Sequence, residues 1–124
     1  MTAYLTLEQG LRVARAAVGG PIEVRDLGLL EAALQRPQTS LFGQDAYPDL
    51  LGKGAALLHS VVANHPFVDG NKRAGWLLTY VFLARNGVEL DPVDDDVAYD
   101  FVIAVASGKL TEVGEIADVL RTFT

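Results

Sequence analysis

The sequence predicts an all-α bundle of about six helices, with a short flap or hairpin ahead of the two helices that carry its densest polar motif. Three observations lead there. Apolar residues recur at helical spacing in segment after segment. Only one or two short stretches read as extended. Helix-stopping signals, among them Gly19-Gly20-Pro21, Pro37, Asn86-Gly87 and Ser107-Gly108, divide the chain at helix-length intervals.

Thr6-Leu7-Glu8-Gln9 has the spacing of a capping box, and Leu7, Leu11, Ala14 and Val18 then mark one helical face. A second helix starts near Asp26, its cap, and ends before Pro37, with Leu27, Leu30 and Leu34 inward and Glu31 and Gln35 outward. Residues 37–48 have no helical period and are bounded by prolines, which predicts a loop or short hairpin. The third helix runs from Asp49 to Asn64. Its start is weakened by Gly52 and Gly54, and its later part is strongly apolar through Leu57, Leu58, Val61 and Val62. His59 within it reads as a surface histidine, since a helix break separates it from His65 and a shared metal site is a poor fit. A residue before proline is pushed out of the α region, so this helix stops near Asn64 or His65.

Gly70 then permits a tight turn. From Asn71, an apolar run through Trp76, Leu77, Leu78, Tyr80, Val81, Phe82 and Leu83 predicts a buried helix ending at Asn86-Gly87. Val88-Glu89-Leu90 reads as briefly extended. Asp94-Asp95-Asp96 resembles a metal cluster at first sight, but ahead of Val97, Tyr99, Phe101, Val102 and Val105 it fits better as the cap and first-turn acids of a fifth helix. Thr111 to Thr122 forms the last helix, with Val113, Ile116, Ala117 and Leu120 inward.

A chain of 124 residues without internal repeat or linker is expected to be one domain spanning 1–124. Half of its residues are hydrophobic, so it folds rather than remaining disordered. The net charge of −6 argues against direct DNA binding, which calls for a basic face. Without cysteine there is no disulfide scaffold, thiol nucleophile or thiolate ligand, which is compatible with a cytoplasmic location. The N-terminus lacks the pattern of a secretory signal, and the apolar run Ala74–Ala84 is too short to cross a bilayer, so no membrane association is expected.

The chemistry concentrates in His65-Pro66-Phe67-Val68-Asp69-Gly70-Asn71-Lys72-Arg73-Ala74-Gly75, a helix-loop-helix corner. Lys72 and Arg73 fall in the first turn of a helix, where the macrodipole disfavours cations by roughly 0.3–1 kcal/mol. A phosphate removes the conflict, because first-turn N–H groups already form an anion site and the side chains add charge-assisted hydrogen bonds. The plainer alternative is that Asp69 neutralises the two cations and His65 only caps the preceding helix. Phosphoryl transfer needs positioning, charge neutralisation and a proton acceptor. His65 is suited to be the general base, Asp69 offers an oxygen ligand for Mg²⁺ shared with nucleotide phosphates, and Gly70, Asn71, Lys72 and Arg73 would hold phosphate oxygens. Phe67 reads as an apolar peg.

These residues resemble the Fic/Doc superfamily, and specifically its Doc-type toxins, whose signature is His-x-Phe-x-Asp/Asn-Ala/Gly-Asn-Lys-Arg. The similarity extends to Arg25-Asp26-Leu27-Gly28-Leu29-Leu30-Glu31, Arg36-Pro37-Gln38 and Phe82-Leu83-Ala84-Arg85-Asn86-Gly87. The resemblance implies a compact Fic/Doc-like fold and an ATP- and Mg²⁺-dependent kinase with His65 as catalytic base, Asp69 as metal ligand and Asn71, Lys72 and Arg73 on phosphate. It further implies phosphorylation of a threonine of elongation factor Tu, arrest of translation, and silencing by a Phd-like antitoxin whose C-terminal segment folds into a helix against the toxin. The segment before the motif-bearing helices would be a flap that pairs with target backbone.

The chain also departs from its relatives. Fic adenylyltransferases resemble His-Pro-Phe-x-x-Gly-Asn-Gly-Arg-x-x-Arg; here Lys72 replaces the second glycine and Trp76 the final arginine. Both changes favour ATP bound in the reversed sense, γ-phosphate toward His65, and so phosphoryl over adenylyl transfer. An internal inhibitory Ser/Thr-x-x-x-Glu-Gly/Asn helix is matched by Thr111 to Glu115 but broken by Ile116, so inhibition would come from a separate protein. A catalytically idle antitoxin-binding module is the remaining alternative of a different class. His65 and Asp69 are too few ligands for a protein-held catalytic zinc.

Overall fold

Local capping chemistry sets most of the helix boundaries. The computed structural model describes residues 1–124, with six helices: α1 (Leu7–Val18), α2 (Leu27–Gln35), α3 (Leu50–Asn64), α4 (Asn71–Arg85), α5 (Asp95–Ala106) and α6 (Val113–Thr122). Both halves of the capping box form at α1, Thr6 Oγ1 accepting from Gln9 N at 3.1 Å and Gln9 Oε1 from Thr6 N at 3.0 Å. Asp26, Asp49 and Asp94 cap α2, α3 and α5 with their carboxylates. The aspartate triplet is therefore a helix start. The last helix begins two residues later than its sequence suggests, at Val113, after Glu112 as an N-cap that makes no side-chain hydrogen bond.

The all-α expectation holds. Its one exception is the expected hairpin, β1 (Ser40–Leu41) antiparallel to β2 (Gln44–Asp45), with Ser40 opposite Asp45 and Leu41 opposite Gln44. A 3₁₀ turn at Arg36–Gln38 precedes it. Val88–Leu90 joins no strand; Val88 N instead closes the end of α4 on Leu83 O at 2.9 Å.

The core is one cluster of 23 buried residues, and α3 lies at its centre, packed by α2, α4, α5 and α6. Two fully buried runs, Ala55–Leu58 and Val61–Val62, supply its faces. Helix α4 packs closely against it because Gly75 presents no side chain; a Cβ there would meet Val62 Cγ1 at 2.8 Å. Dispersion contacts and apolar burial both gain from that approach. Not every apolar residue of the helical segments reaches the core. Leu27, Val97 and Tyr99 are about half or more exposed, and Tyr80 is exposed within the apolar run of α4. The local pattern alone does not reveal that exposure.

The foot of the hairpin is fixed by partly buried polar contacts. Lys53, nearly fully buried on α3, donates to Pro37 O at 3.2 Å and pairs with Asp45 Oδ2 at 3.3 Å. Arg36 donates through Nε to Tyr47 Oη at 3.1 Å and through Nη1 to Ser60 Oγ at 3.0 Å, and the same Nη1 lies 2.8 Å from His59 Nδ1. His59 is thus more than a surface histidine. Its partner comes from a distant turn, which sequence spacing could not indicate.

A guanidinium only donates, so His59 Nδ1 must accept and the ring is neutral. Burial, and secondarily the charge of Arg36, lower its pKa. The unfolded chain, with an ordinary value of about 6.5, takes up the proton first. Stability from this residue is therefore present above about pH 6.5 and lost as pH falls through the lowered folded value. Thermal denaturation followed by circular dichroism should show a larger fall in Tm between about pH 7.5 and about pH 5.5 for the parent than for His59→Gln. Parallel curves for the two proteins would contradict this.

Candidate functional site

The motif begins where α3 must end. Ahead of Pro66, His65 leaves the right-handed region and takes a left-handed conformation, φ 53° and ψ 64°. Pro66 and Phe67 turn inward and are buried, Phe67 completely, while Val68 and Asp69 turn outward. Phe67 is the apolar peg its sequence position implies. Its backbone forms an antiparallel bridge with Val24, and Val68 N donates to Glu23 O at 3.0 Å. The segment before α2 thereby becomes a rail along the loop.

Gly70 starts α4 from φ 81°, where a Cβ would also meet Val18 Cγ1 at 2.7 Å. Only glycine fits both demands. No side chain caps α4. Its first backbone bond runs from Ala74 N to Gly70 O, so the N–H groups of Asn71, Lys72 and Arg73 stand ahead of the helical ladder as an open anion site. Lys72 and Arg73 are exposed beside them, and none of the chain's four ion pairs involves either cation or Asp69. Neutralisation by Asp69 is therefore absent. Asp69 Oδ1 instead accepts from Gly70 N at 2.8 Å.

Asn71 is buried and its amide is committed to the loop: Oδ1 accepts from Phe67 N at 3.0 Å and Nδ2 donates to Phe67 O at 2.9 Å. That pairing fixes which end is nitrogen and turns it toward His65 Nδ1, 3.5 Å away.

All six residues singled out in the sequence, His65, Asp69, Gly70, Asn71, Lys72 and Arg73, line a single cavity of about 540 Å³. The rest of its lining is mostly apolar and comes largely from beyond the motif: Trp76 of α4 with Ala98, Tyr99 and Val102 of α5, joined by Asp95. Trp76 is held edge-on to Phe101 and Phe123, with ring centroids 6.2 and 6.1 Å apart. Sequence reasoning missed the α5 wall. A signal was present, since residues 95, 98, 99 and 102 share one helical face, which adjoins the core face at Phe101, Val102 and Val105. Glu115 does not line the cavity and Ile116 is fully buried, so α6 serves as a packing helix.

The cavity suits an anionic ligand that also has an apolar part. Cations and free N–H groups form one side, and aromatic and aliphatic carbon the other. A metal held by the protein alone does not fit, because nowhere do three or more histidine or acidic side chains gather. Asp69 fits one metal position if phosphate oxygens supply others. A second hollow, lined by Arg36, Gln38, Thr39, Ser60 and Asn64, joins the hairpin foot to the end of α3 next to His65.

The model of the Fic/DOC family matches residues 4–83. Over 108 residues the chain is 49% identical to Toxin Doc of Mycolicibacterium smegmatis (strain ATCC 700084 / mc(2)155), covering 86% of this chain and 83% of that protein. Over 103 residues it is 32% identical to Protein kinase doc of Escherichia phage P1, covering 83% of this chain and 79% of the phage protein.

Proposed function

Since the chain belongs to the Fic/DOC family, we propose that it is the toxin of a bacterial toxin–antitoxin pair and works in the cytoplasm as a protein Ser/Thr kinase, residues 1–124 acting as one Fic/Doc-like domain. It transfers the γ-phosphate of ATP to a hydroxyl of a translation protein, with elongation factor Tu the target, and so arrests translation. One observation carries the proposal: a single cavity joins a base, a carboxylate, two unpaired cations and an uncapped helix N-terminus. The names of the two relatives, a toxin and a protein kinase, support it.

His65 accepts the proton of the attacking hydroxyl as the new O–P bond forms. The bond from the γ-phosphorus to the β,γ-bridging oxygen breaks, and ADP leaves with that oxygen. Lys72, Arg73 and the N–H groups of residues 71–73 hold phosphate oxygens and offset the charge spread over them. The amide of Asn71 organises the loop, which leaves its main-chain N–H for phosphate. Mg²⁺, when bound by Asp69 together with the phosphates, supplies further charge neutralisation. Lys72 and Trp76 both line the cavity, at the places where adenylyltransferases of this superfamily carry glycine and arginine, and this supports phosphoryl transfer. Control falls to a Phd-like antitoxin whose C-terminal helix covers exposed apolar surface.

The test is the intact mass of elongation factor Tu after incubation with the protein, Mg²⁺ and ATP. A gain of one phosphoryl group is expected, and none with His65→Ala. A gain of one adenylyl group would overturn the nucleotide orientation. No gain on this or any other translation protein would leave an antitoxin-binding module without catalysis.

A further inference from the structure

His65 holds a backbone conformation that L-residues rarely adopt, and such a conformation persists only where its surroundings impose it. The side chain that imposes it belongs to Arg25. Arg25, just before α2, donates through Nε to His65 O at 2.7 Å and through Nη2 to Asn64 O at 2.8 Å. Those two carbonyls belong to the peptide planes on either side of the His65 Cα. Rotation of one plane is φ and rotation of the other is ψ. One rigid, planar guanidinium therefore clamps both dihedrals of His65 at once.

The backbone beside it works in the same direction. Arg25 N and Asp26 N both donate to Pro66 O, at 2.8 and 3.1 Å, so the guanidinium is delivered from a segment already registered on the loop. The cation also lies at the C-terminal end of α3, where the macrodipole favours it. Other restraints on the His65 side chain are weak, since its one side-chain hydrogen-bond contact, with Asn71, is 3.5 Å long and the residue is exposed.

We propose that Arg25 is a positioning residue for His65, setting the direction from which the imidazole meets the reacting hydroxyl; this rests on the kinase reading above. Lysine cannot replace it, because an ammonium is a point donor on a flexible stem and does not hold two peptide planes in a fixed relation.

The chain has two histidines, His59 and His65, so imidazole ¹H–¹⁵N spectra provide a direct readout with an internal control. In Arg25→Ala and Arg25→Lys the His65 signals should shift and broaden while those of His59 remain. In the kinase assay kcat should fall by about a hundredfold for Arg25→Ala, with KM for ATP unchanged, and millimolar guanidinium chloride should restore part of it. Full activity of Arg25→Lys, or unchanged His65 signals in both variants, would overturn the proposal. So would equal disturbance of both histidines in Arg25→Lys, which would make the arginine a general structural support. If the parent protein transfers no phosphate while the His65 signals respond as described, the kinase reading fails and the positioning of His65 stands.

Discussion

Replacing His65 by alanine is expected to lower the rate of transfer by about 10²–10⁴-fold, the range for removing a general base, and to relieve growth inhibition in cells. The side chain is exposed and packs against little, so the fold and partner binding should be kept. Stability should stay within about 0.5 kcal/mol of the parent. The left-handed backbone recommends His65→Asn as a companion, since asparagine tolerates that conformation and cannot serve as the base at neutral pH. Both variants should fail in the same way. A variant as toxic as the parent would show that His65 is not the base, whatever its neighbours do.

Phe67→Ala should have the largest effect on stability. The ring is completely buried, and the residue's backbone is tied to Val24 on one side and to the Asn71 amide on the other. Truncation leaves a cavity that this doubly held loop cannot close, at a cost of about 3–5 kcal/mol. For a chain of this size that corresponds to a Tm lower by roughly 10–20 °C. Phe67→Leu should recover much of it. Differential scanning calorimetry decides: a fall of only a degree or two in Phe67→Ala would mean that the ring is not what fixes the loop to the core. The contrast is diagnostic, since replacing the residue two places before it is expected to lower rate and leave stability unchanged.

The sequence by itself determined the helices, their caps and the motif, because these depend on neighbours three or four residues away. Thr6 with Gln9, Asp26 before Leu27, and Gly70 before Asn71 are complete local instructions. It also determined which side chains form the polar half of the cavity, since His65 through Arg73 lie within one corner. Only the tertiary structure decided the rest. The apolar wall from α5, the hold of Arg36 on His59, and the grip of Arg25 on the carbonyls of Asn64 and His65 all join residues far apart in the chain. Exposure of Leu27, Val97 and Tyr99 was decided there too. Periodicity says that a face is apolar, but only packing says whether another helix arrives to cover it.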